Sequence, residues 1–176
     1  AISIRLVGSE MCIRDSQIVN AITLGISKFE RFNALMGREQ ADEILLSIAE
    51  RLKAIRDIRV FEEYCWCRLG GAEYALLFTG ARDQAMMASI AEAVINSVKR
   101  PLLLGGEEIY LTARIGITSS DIETEDANSL LQQSNVALNV AKDGEPNSYR
   151  FYSPVHLVGQ SADAVVEHAL RGSIER

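Results

Sequence analysis

In the segment Arg68-Leu-Gly-Gly-Ala-Glu-Tyr74, two adjacent glycines separate two apolar runs. Paired glycines supply the positive φ angles of a tight turn, and runs of strand length on both sides of such a turn indicate a β-hairpin. The sequence therefore predicts one strand from Arg59 to Leu69, a turn at Gly70-Gly71 and a returning strand from Tyr74 to Phe78.

Further strands and helices are predicted on both sides of this hairpin. The run from Ile18 to Ile26 is apolar and rich in β-branched residues, which is typical of a buried strand. Gly37 is predicted to end the first helix of the chain and Pro101 to stop the third. The apolar positions that repeat at helical spacing in the four predicted helices are Phe29, Phe32, Leu35 and Met36; Ile44, Leu45, Ile48, Leu52 and Ile55; Met87, Ile90, Ala91, Val94 and Val98; and Leu130, Leu131, Ser134, Ala137, Leu138 and Ala141.

A second hairpin and a last short strand complete the predicted domain. Leu102 to Leu104 and Ile109 to Thr118 are predicted as strands around Gly105-Gly106, and Phe151 and Tyr152 end the last strand. The order β-α-α-β-β-α-β-β-α-β predicts an α/β domain. Its central mixed sheet is mostly antiparallel because of the hairpins, and helices flank it.

Composition excludes several classes of function. The chain has 176 residues, of which 48% are hydrophobic and 24% charged, and this balance favours one packed domain over a disordered segment. A net charge of −6 argues against a nucleic-acid partner, which needs a basic surface. No apolar run approaches the roughly 18 residues of a membrane span, so no membrane contact is expected from this segment. Three cysteines, an odd number, favour a reducing and therefore cytoplasmic location.

The glycine turn and several other segments, all in register, resemble the GGDEF domains of the diguanylate cyclase family. The matching segments are Lys28-Phe29, Phe32-Asn33, Gly37, Asp42, the signature turn Gly70-Gly71-Ala72-Glu73-Tyr74, Thr112 to Ile117, Ala137 to Lys142 and Tyr149 to Pro154. The resemblance implies a nucleotidyl-cyclase-like fold over residues 17–154. In this family two GTP molecules are joined to cyclic di-GMP by a pair of domains, so a homodimer is a further expectation.

The two ends of the chain are predicted to lie outside that domain. Residues 1–16 carry neither strand nor helix periodicity, and Leu6 to Asp15 resembles a translated adapter sequence, so this segment is expected to be disordered or non-native. Ala169 to Glu175 resembles the opening helix of an EAL domain, the cyclic di-GMP phosphodiesterase that often follows a GGDEF domain. Residues 155–176 are therefore predicted to be a linker and the start of a truncated EAL domain.

The resemblance implies a magnesium centre whose ligands this sequence lacks. The family takes its metal carboxylates from the first acidic residue of the strand-one motif and from the third residue of the signature turn. Here those positions are Gly25 and Ala72, and neither side chain can bind Mg²⁺. The second acidic position of the strand motif is Ser27, and Glu73 alone remains a carboxylate. We expect no catalytic residue and no metal, with Mg²⁺ bound only if residual cyclase activity survives through Glu73.

The nucleotide-binding positions of the family are better kept. Asn33 and Asp42 match the residues that bind guanine, and Lys142 matches a phosphate-binding lysine. Each also has an ordinary structural interpretation: a local helix hydrogen bond for Asn33, a first-turn carboxylate for Asp42 and a helix-end lysine for Lys142. The partner arginine of that lysine is replaced by Pro146, which offers neither charge nor amide hydrogen.

Two features of the strand before the turn point away from further sites. The Arg-x-x-Asp pair that forms the inhibitory product site of the family corresponds here to Phe61 and Tyr64, so feedback inhibition is not expected. Cys65 and Cys67 lie on one face of the predicted strand without a second ligand pair, which favours a half-buried strand over a zinc site.

These observations predict a degenerate GGDEF domain that makes no cyclic di-GMP and regulates an attached EAL domain, with a guanine nucleotide as its possible ligand. Two alternatives stay open at this point. One is a weakly active diguanylate cyclase that uses Glu73 and Ser27 around the metal. The other is a dimerisation scaffold that binds no nucleotide.

Overall fold

The computed structural model describes residues 18–27, 29–55, 64–81, 83–120 and 127–155. The predictions for residues 1–16, for the first part of the predicted strand (residues 59–63, with Phe61) and for residues 156–176 lie outside these ranges. The elements in chain order are β1 (Val19–Ser27), α1 (Phe29–Met36), α2 (Arg38–Lys53), β2 (Tyr64–Gly70), β3 (Glu73–Thr79), α3 (Gln84–Lys99), β4 (Leu102–Leu104), β5 (Glu107–Ile109), β6 (Thr112–Ser119), α4 (Ala127–Lys142) and β7 (Ser148–Phe151).

Five of the strands form one sheet in the order β2-β3-β1-β6-β7. The β6–β7 pair is parallel and the other three pairs are antiparallel, which confirms the predicted mixed, mostly antiparallel sheet. Strand β1 lies at the centre, and all of its residues except the last are buried. The continuous apolar run at the start of the domain is therefore the middle of the sheet, covered on both faces.

Helices cover the two faces of the sheet. Alternate residues of β1 point to opposite faces. Ile22, Leu24 and Ile26 belong to the main core, which the buried residues of α2 and α3 complete. On the other face, Val19 and Ala21 pack with Leu130 of α4. The site described below lies on this second face, at the end of β1 where α4 also ends.

Helix α4 lies unusually close to the sheet because β6 carries a glycine beneath it. A Cβ atom at Gly116 would lie 1.9 Å from the carbonyl oxygen of Ser134 and 2.3 Å from the amide nitrogen of Leu138. At the same crossing the hydroxyls of Thr23 and Ser134 form a buried hydrogen bond of 2.6 Å. These contacts fix the height of α4 above β1, and so determine how far Lys142, the last residue of the helix, reaches over the sheet.

The second hairpin was predicted incorrectly in one respect. The stretch from Ile109 to Thr118 is not one strand, because β5 ends at Ile109 and β6 begins at Thr112. Strand β5 pairs with β4 in a separate two-stranded sheet, whereas β6 pairs with β1 and β7 in the main sheet. The chain has to leave one sheet and enter the other, and it does so at Tyr110 and Leu111, which belong to neither strand.

Two apolar positions of the predicted helices are placed differently from expectation. Leu35 lies on α1 but is 74% exposed, since this eight-residue helix buries Phe29 against the core and turns its other side to solvent. Ile55 lies beyond the end of α2 at Lys53. Gly37 follows α1 with a φ of 86°, a left-handed conformation that suits glycine and ends the helix as predicted. No helix among the described residues is long and apolar enough to cross a membrane.

Candidate functional site

The signature turn is a rigid structure between β2 and β3. Gly70 and Gly71 have φ angles of 154° and 49°, which explains why the chain has glycine at both positions. The Arg68 guanidinium donates two hydrogen bonds to the Gly71 carbonyl oxygen, at 2.9 Å from Nε and 2.6 Å from Nη2. The amide of Ile26 donates to the carbonyl oxygen of Ala72 at 3.1 Å, so the turn is attached to the end of β1.

The last residue of the signature, Tyr74, anchors the returning strand in the core. Its ring is buried, and its hydroxyl donates a hydrogen bond of 3.0 Å to the carbonyl oxygen of Leu45 on α2. Burial raises the pKa of this phenol, so Tyr74 is a neutral structural residue.

A cleft of about 720 Å³ opens between this turn, the end of β1, helix α1 and the end of α4. Six of the eight family positions named for metal and nucleotide binding line this one cleft, and only Asp42 and Pro146 do not. The complete lining consists of Gly25, Ile26, Ser27, Phe29, Arg31, Asn33, Gly70, Gly71, Ala72, Glu73 and Lys142.

Gly25 is the centre of the site. In the sheet register it pairs with Glu73 on β3 and with Arg114 on β6, and residues directly opposite each other on antiparallel strands share a face. A Cβ atom at Gly25 would lie 3.5 Å from Leu138 and 3.5 Å from Cε of Lys142. An acidic side chain at position 25 would therefore project among Glu73, Arg114 and Lys142.

An ion pair spans the place where that acid is missing. Lys142 Nζ lies 2.7 Å from Glu73 Oε1, and the two side chains are 43% and 37% exposed. The only carboxylate that survives from the metal-binding positions is thus paired with the family's phosphate-binding lysine. A pair this exposed contributes at most about 1 kcal/mol, so it can open at little cost.

A second cation, Arg114, lies on the other side of Gly25. Its guanidinium donates to Ser27 Oγ through Nη1 and to the Gly144 carbonyl oxygen, 3.2 Å away, through Nη2. Its Nε is buried and has no hydrogen-bond partner. From the sequence, Arg114 was only one residue of the Thr112 to Ile117 segment that resembles the family. The signal that could have revealed it is that Arg114 is the one charged residue of its strand.

Magnesium does not fit this arrangement. A magnesium site in a protein takes one or two carboxylates, with water and phosphate oxygens completing an octahedral shell. Gly25 and Ala72 offer no side-chain oxygen, Ser27 accepts a hydrogen bond from a cation, and Glu73 is paired with Lys142. In the described part of the chain no group of three or more His, Cys, Asp or Glu residues could hold a metal ion.

Asn33 and Asp42 do not share a cavity. Asn33 is exposed on α1 and lines the cleft, and no hydrogen bond of its side chain is found among the described residues. Asp42 is exposed on α2 and lines a neighbouring groove of about 480 Å³ with Leu45, Arg68 and Tyr74. That these two side chains bind one guanine stays a prediction.

The remaining positions named from the sequence lie away from the cleft. Pro146 is exposed in the loop after α4, and Tyr64 begins β2 with 46% of its surface exposed. Cys65 and Cys67 are free thiols, and their partners in the sheet register, Leu77 and Ala75, place both on one face of β2 as predicted. Burial, followed by the neighbouring Cys65, raises the pKa of the Cys67 thiol, which makes the metal-binding thiolate harder to form.

Comparison with known proteins identifies the family. Over residues 8–148 the chain matches the family described as diguanylate cyclase, GGDEF domain. The match covers most of the sequence, including the cleft and the signature turn. The chain belongs to the GGDEF domain family and is therefore a domain of cyclic di-GMP signalling.

Bifunctional proteins that also carry the phosphodiesterase activity are among its relatives. The chain is 27% identical over 167 residues to the bifunctional diguanylate cyclase/cyclic di-GMP phosphodiesterase MucR of Pseudomonas aeruginosa, which covers 95% of this chain and 24% of that protein. It is 25% identical over 152 residues to the cyclic di-GMP phosphodiesterase NbdA of the same organism, covering 86% and 19%. The chain spans about a quarter or less of the length of these relatives.

Solved structures share the fold. An EAL/GGDEF domain protein from M. capsulatus matches with a TM-score of 0.71 and 27% identity, over 86% of this chain and 99% of that chain. The GGDEF domain of TpbB (YfiN) from Pseudomonas aeruginosa matches with a TM-score of 0.79 and 22% identity, over 88% and 91%. At 22% identity, the match to TpbB shows that the two domains share the same arrangement of sheet and helices.

Proposed function

We propose that this domain is a catalytically inactive GGDEF domain that binds a guanine nucleotide without a metal ion and regulates an attached EAL phosphodiesterase domain. The observation that carries the proposal is the state of the metal-binding positions. Gly25 and Ala72 have no ligand atoms in their side chains, and the remaining carboxylate, Glu73, forms an ion pair with Lys142.

The loss of the metal removes the chemistry but leaves a cleft that suits a nucleotide. Phosphoryl transfer depends on positioning and on cations that neutralise the charge developing on the transferred group. Losing the metal's share costs several kcal/mol, or orders of magnitude in rate. The cleft has the volume of a nucleotide site, a free amide at Asn33, and the cations Arg31 and Lys142 on its wall. We therefore expect the domain to bind a nucleotide although it no longer catalyses phosphoryl transfer.

We infer a regulatory role from the domains and activities that accompany GGDEF domains in related proteins. MucR is named as bifunctional and NbdA as a phosphodiesterase, and the M. capsulatus structure is named as an EAL/GGDEF domain protein. A GGDEF domain that binds its nucleotide without consuming it can shift the conformation of a neighbouring domain by differential affinity. We infer that the attached EAL domain has the catalytic activity.

Calorimetric titration of GTP into the chain in EDTA tests the nucleotide proposal. We expect saturable binding, and we expect Asn33→Ala to weaken it about tenfold through loss of hydrogen bonds to the base. The matched control is Asn139→Ala, which removes another exposed asparagine from a helix, α4, without touching the cleft. GTP affinity should be unchanged in that variant.

Two outcomes would contradict the proposed function. Accumulation of cyclic di-GMP from GTP and Mg²⁺ would identify a residual cyclase. Absence of heat with GTP, with or without Mg²⁺, combined with concentration-dependent dimerisation, would leave a scaffold that binds no nucleotide.

A further inference from the structure

We propose that Arg114 takes over the electrostatic role of the missing metal ion, so that the phosphate groups of a nucleotide are bound directly by the guanidinium of Arg114 together with the ammonium of Lys142. This inference rests on the proposed function, because it names the groups that bind the phosphates of the ligand in the same cleft.

The first observation that supports this proposal is the position of Arg114. It lies directly across from Gly25 in the β1–β6 register, on the same face of the sheet. Arg114 is not itself one of the residues that line the cleft, but its guanidinium donates a hydrogen bond to Ser27, whose side chain does. Lys142 approaches Gly25 from above, with Cε 3.5 Å from the place of a Cβ atom. Two cations therefore flank Gly25, one of the two positions from which the family takes its metal-binding carboxylates.

The second observation is that Arg114 lacks a negatively charged partner among the described residues. Its two hydrogen bonds go to a hydroxyl and a carbonyl oxygen, both neutral, and within the described ranges it forms no ion pair with a carboxylate. Its Nε is buried with no acceptor. A part-buried guanidinium without a counter-ion is unfavourable, and an anion that enters the cleft would supply that counter-ion.

The third argument is that the chemistry of the two side chains suits phosphate. A guanidinium offers a planar fork of donors that matches phosphate oxygens, and it cannot lose its proton at physiological pH. Lys142 can be recruited at low cost, because its pair with Glu73 is partly exposed. The class of ligand is a nucleotide whose phosphate chain is free of magnesium, and the shared recognition element is the phosphate itself.

Binding of GTP and of guanosine in EDTA, measured with Arg114→Gln, tests this assignment. GTP affinity should fall about tenfold or more in this variant, since a charge-assisted pair to phosphate is lost, while guanosine affinity should not change. Inorganic tripolyphosphate should compete with GTP for the original chain and lose most of that ability in the variant. Arg100→Gln, which removes an exposed arginine that does not line the cleft, should bind all three ligands as the original chain does.

A second variant separates charge from folding. Arg114→Lys keeps the charge without the fork and should retain part of the preference for GTP over guanosine, at an unchanged urea midpoint. If the original chain binds no GTP, the proposed function fails. If it binds GTP and Arg114→Gln binds GTP equally well, only the role of Arg114 fails. Equal losses for GTP and guanosine in Arg114→Gln would show a structural role instead.

Discussion

Replacing Gly116 by alanine is expected to cost at least about 3 kcal/mol of the free energy of unfolding, and larger side chains should prevent folding. The added Cβ would lie 1.9 Å from the Ser134 carbonyl oxygen and 2.3 Å from the Leu138 amide nitrogen, both backbone atoms of α4. A rigid helix can relieve this overlap only by lifting off the sheet, which would break the buried hydrogen bond between Thr23 and Ser134. Urea denaturation measures the loss through the unfolding midpoint.

The matched control for that substitution is Gly25→Ala on the neighbouring strand. There the added Cβ would meet the ends of the Leu138 and Lys142 side chains at 3.5 Å, an ordinary van der Waals distance to flexible groups. Its free energy of unfolding should stay within about 1 kcal/mol of the original value. Gly116→Ala with unchanged stability would contradict the close approach of α4 to β6.

Restoring an acid at position 25 is expected to weaken GTP binding in EDTA by about tenfold or more, equivalent to about 1.4 kcal/mol. In Gly25→Asp the carboxylate would project between Lys142 and Arg114, pair with them and repel the phosphates. An acid at a position where the family binds a metal would thus weaken nucleotide binding, because two cations flank that position in this chain. Calorimetry in EDTA measures the affinity directly.

Gly25→Asn provides the control, since it has nearly the same shape as Gly25→Asp without the charge. Its GTP affinity should be close to that of the original chain. Addition of Mg²⁺ should not restore binding to Gly25→Asp, and no cyclic di-GMP should form, because Ala72 still provides no ligand. Tighter GTP binding by Gly25→Asp than by Gly25→Asn in EDTA would exclude a cationic phosphate site.

The sequence was sufficient to predict those parts of the fold that depend on local patterns. The Gly70-Gly71 turn, the buried strand β1 and the four helices were predicted from their patterns, although α2 ends at Lys53, before Ile55. The separation of β5 from β6 was missed because a continuous apolar run does not reveal that the chain changes sheets at Tyr110. Which strands pair, and in what register, depends on contacts between distant residues that periodicity does not encode.

The candidate site was predictable in its losses but not in its new contacts. Gly25 and Ala72 are visible in the sequence as missing carboxylates once the family register is known. The pairing of Lys142 with Glu73, 69 residues apart, became visible only when α4 was placed over β1. Arg114 was missed for the same reason, since its relation to Gly25 exists only through the pairing of β1 with β6.

The residues at the metal-binding positions change how the site interacts with negatively charged phosphates. In a magnesium-dependent cyclase, carboxylates hold a divalent cation that in turn holds the phosphates. In this chain Gly25 and Ala72 carry no acid, the remaining Glu73 is paired with Lys142, and two side-chain cations flank Gly25 on β1. Under the proposed function these cations bind the phosphates directly, and Mg²⁺ competes with them for the nucleotide.

GTP affinity measured over a range of Mg²⁺ concentrations tests whether the domain binds its nucleotide without a metal ion. Mg²⁺ binds the triphosphate in solution and reduces its negative charge, so a site built from Arg114 and Lys142 should prefer the metal-free nucleotide. We expect GTP to bind most tightly in EDTA and progressively more weakly as Mg²⁺ is added. Affinity that increases with Mg²⁺ would show that the domain still holds a metal ion, and metal-free binding would be excluded.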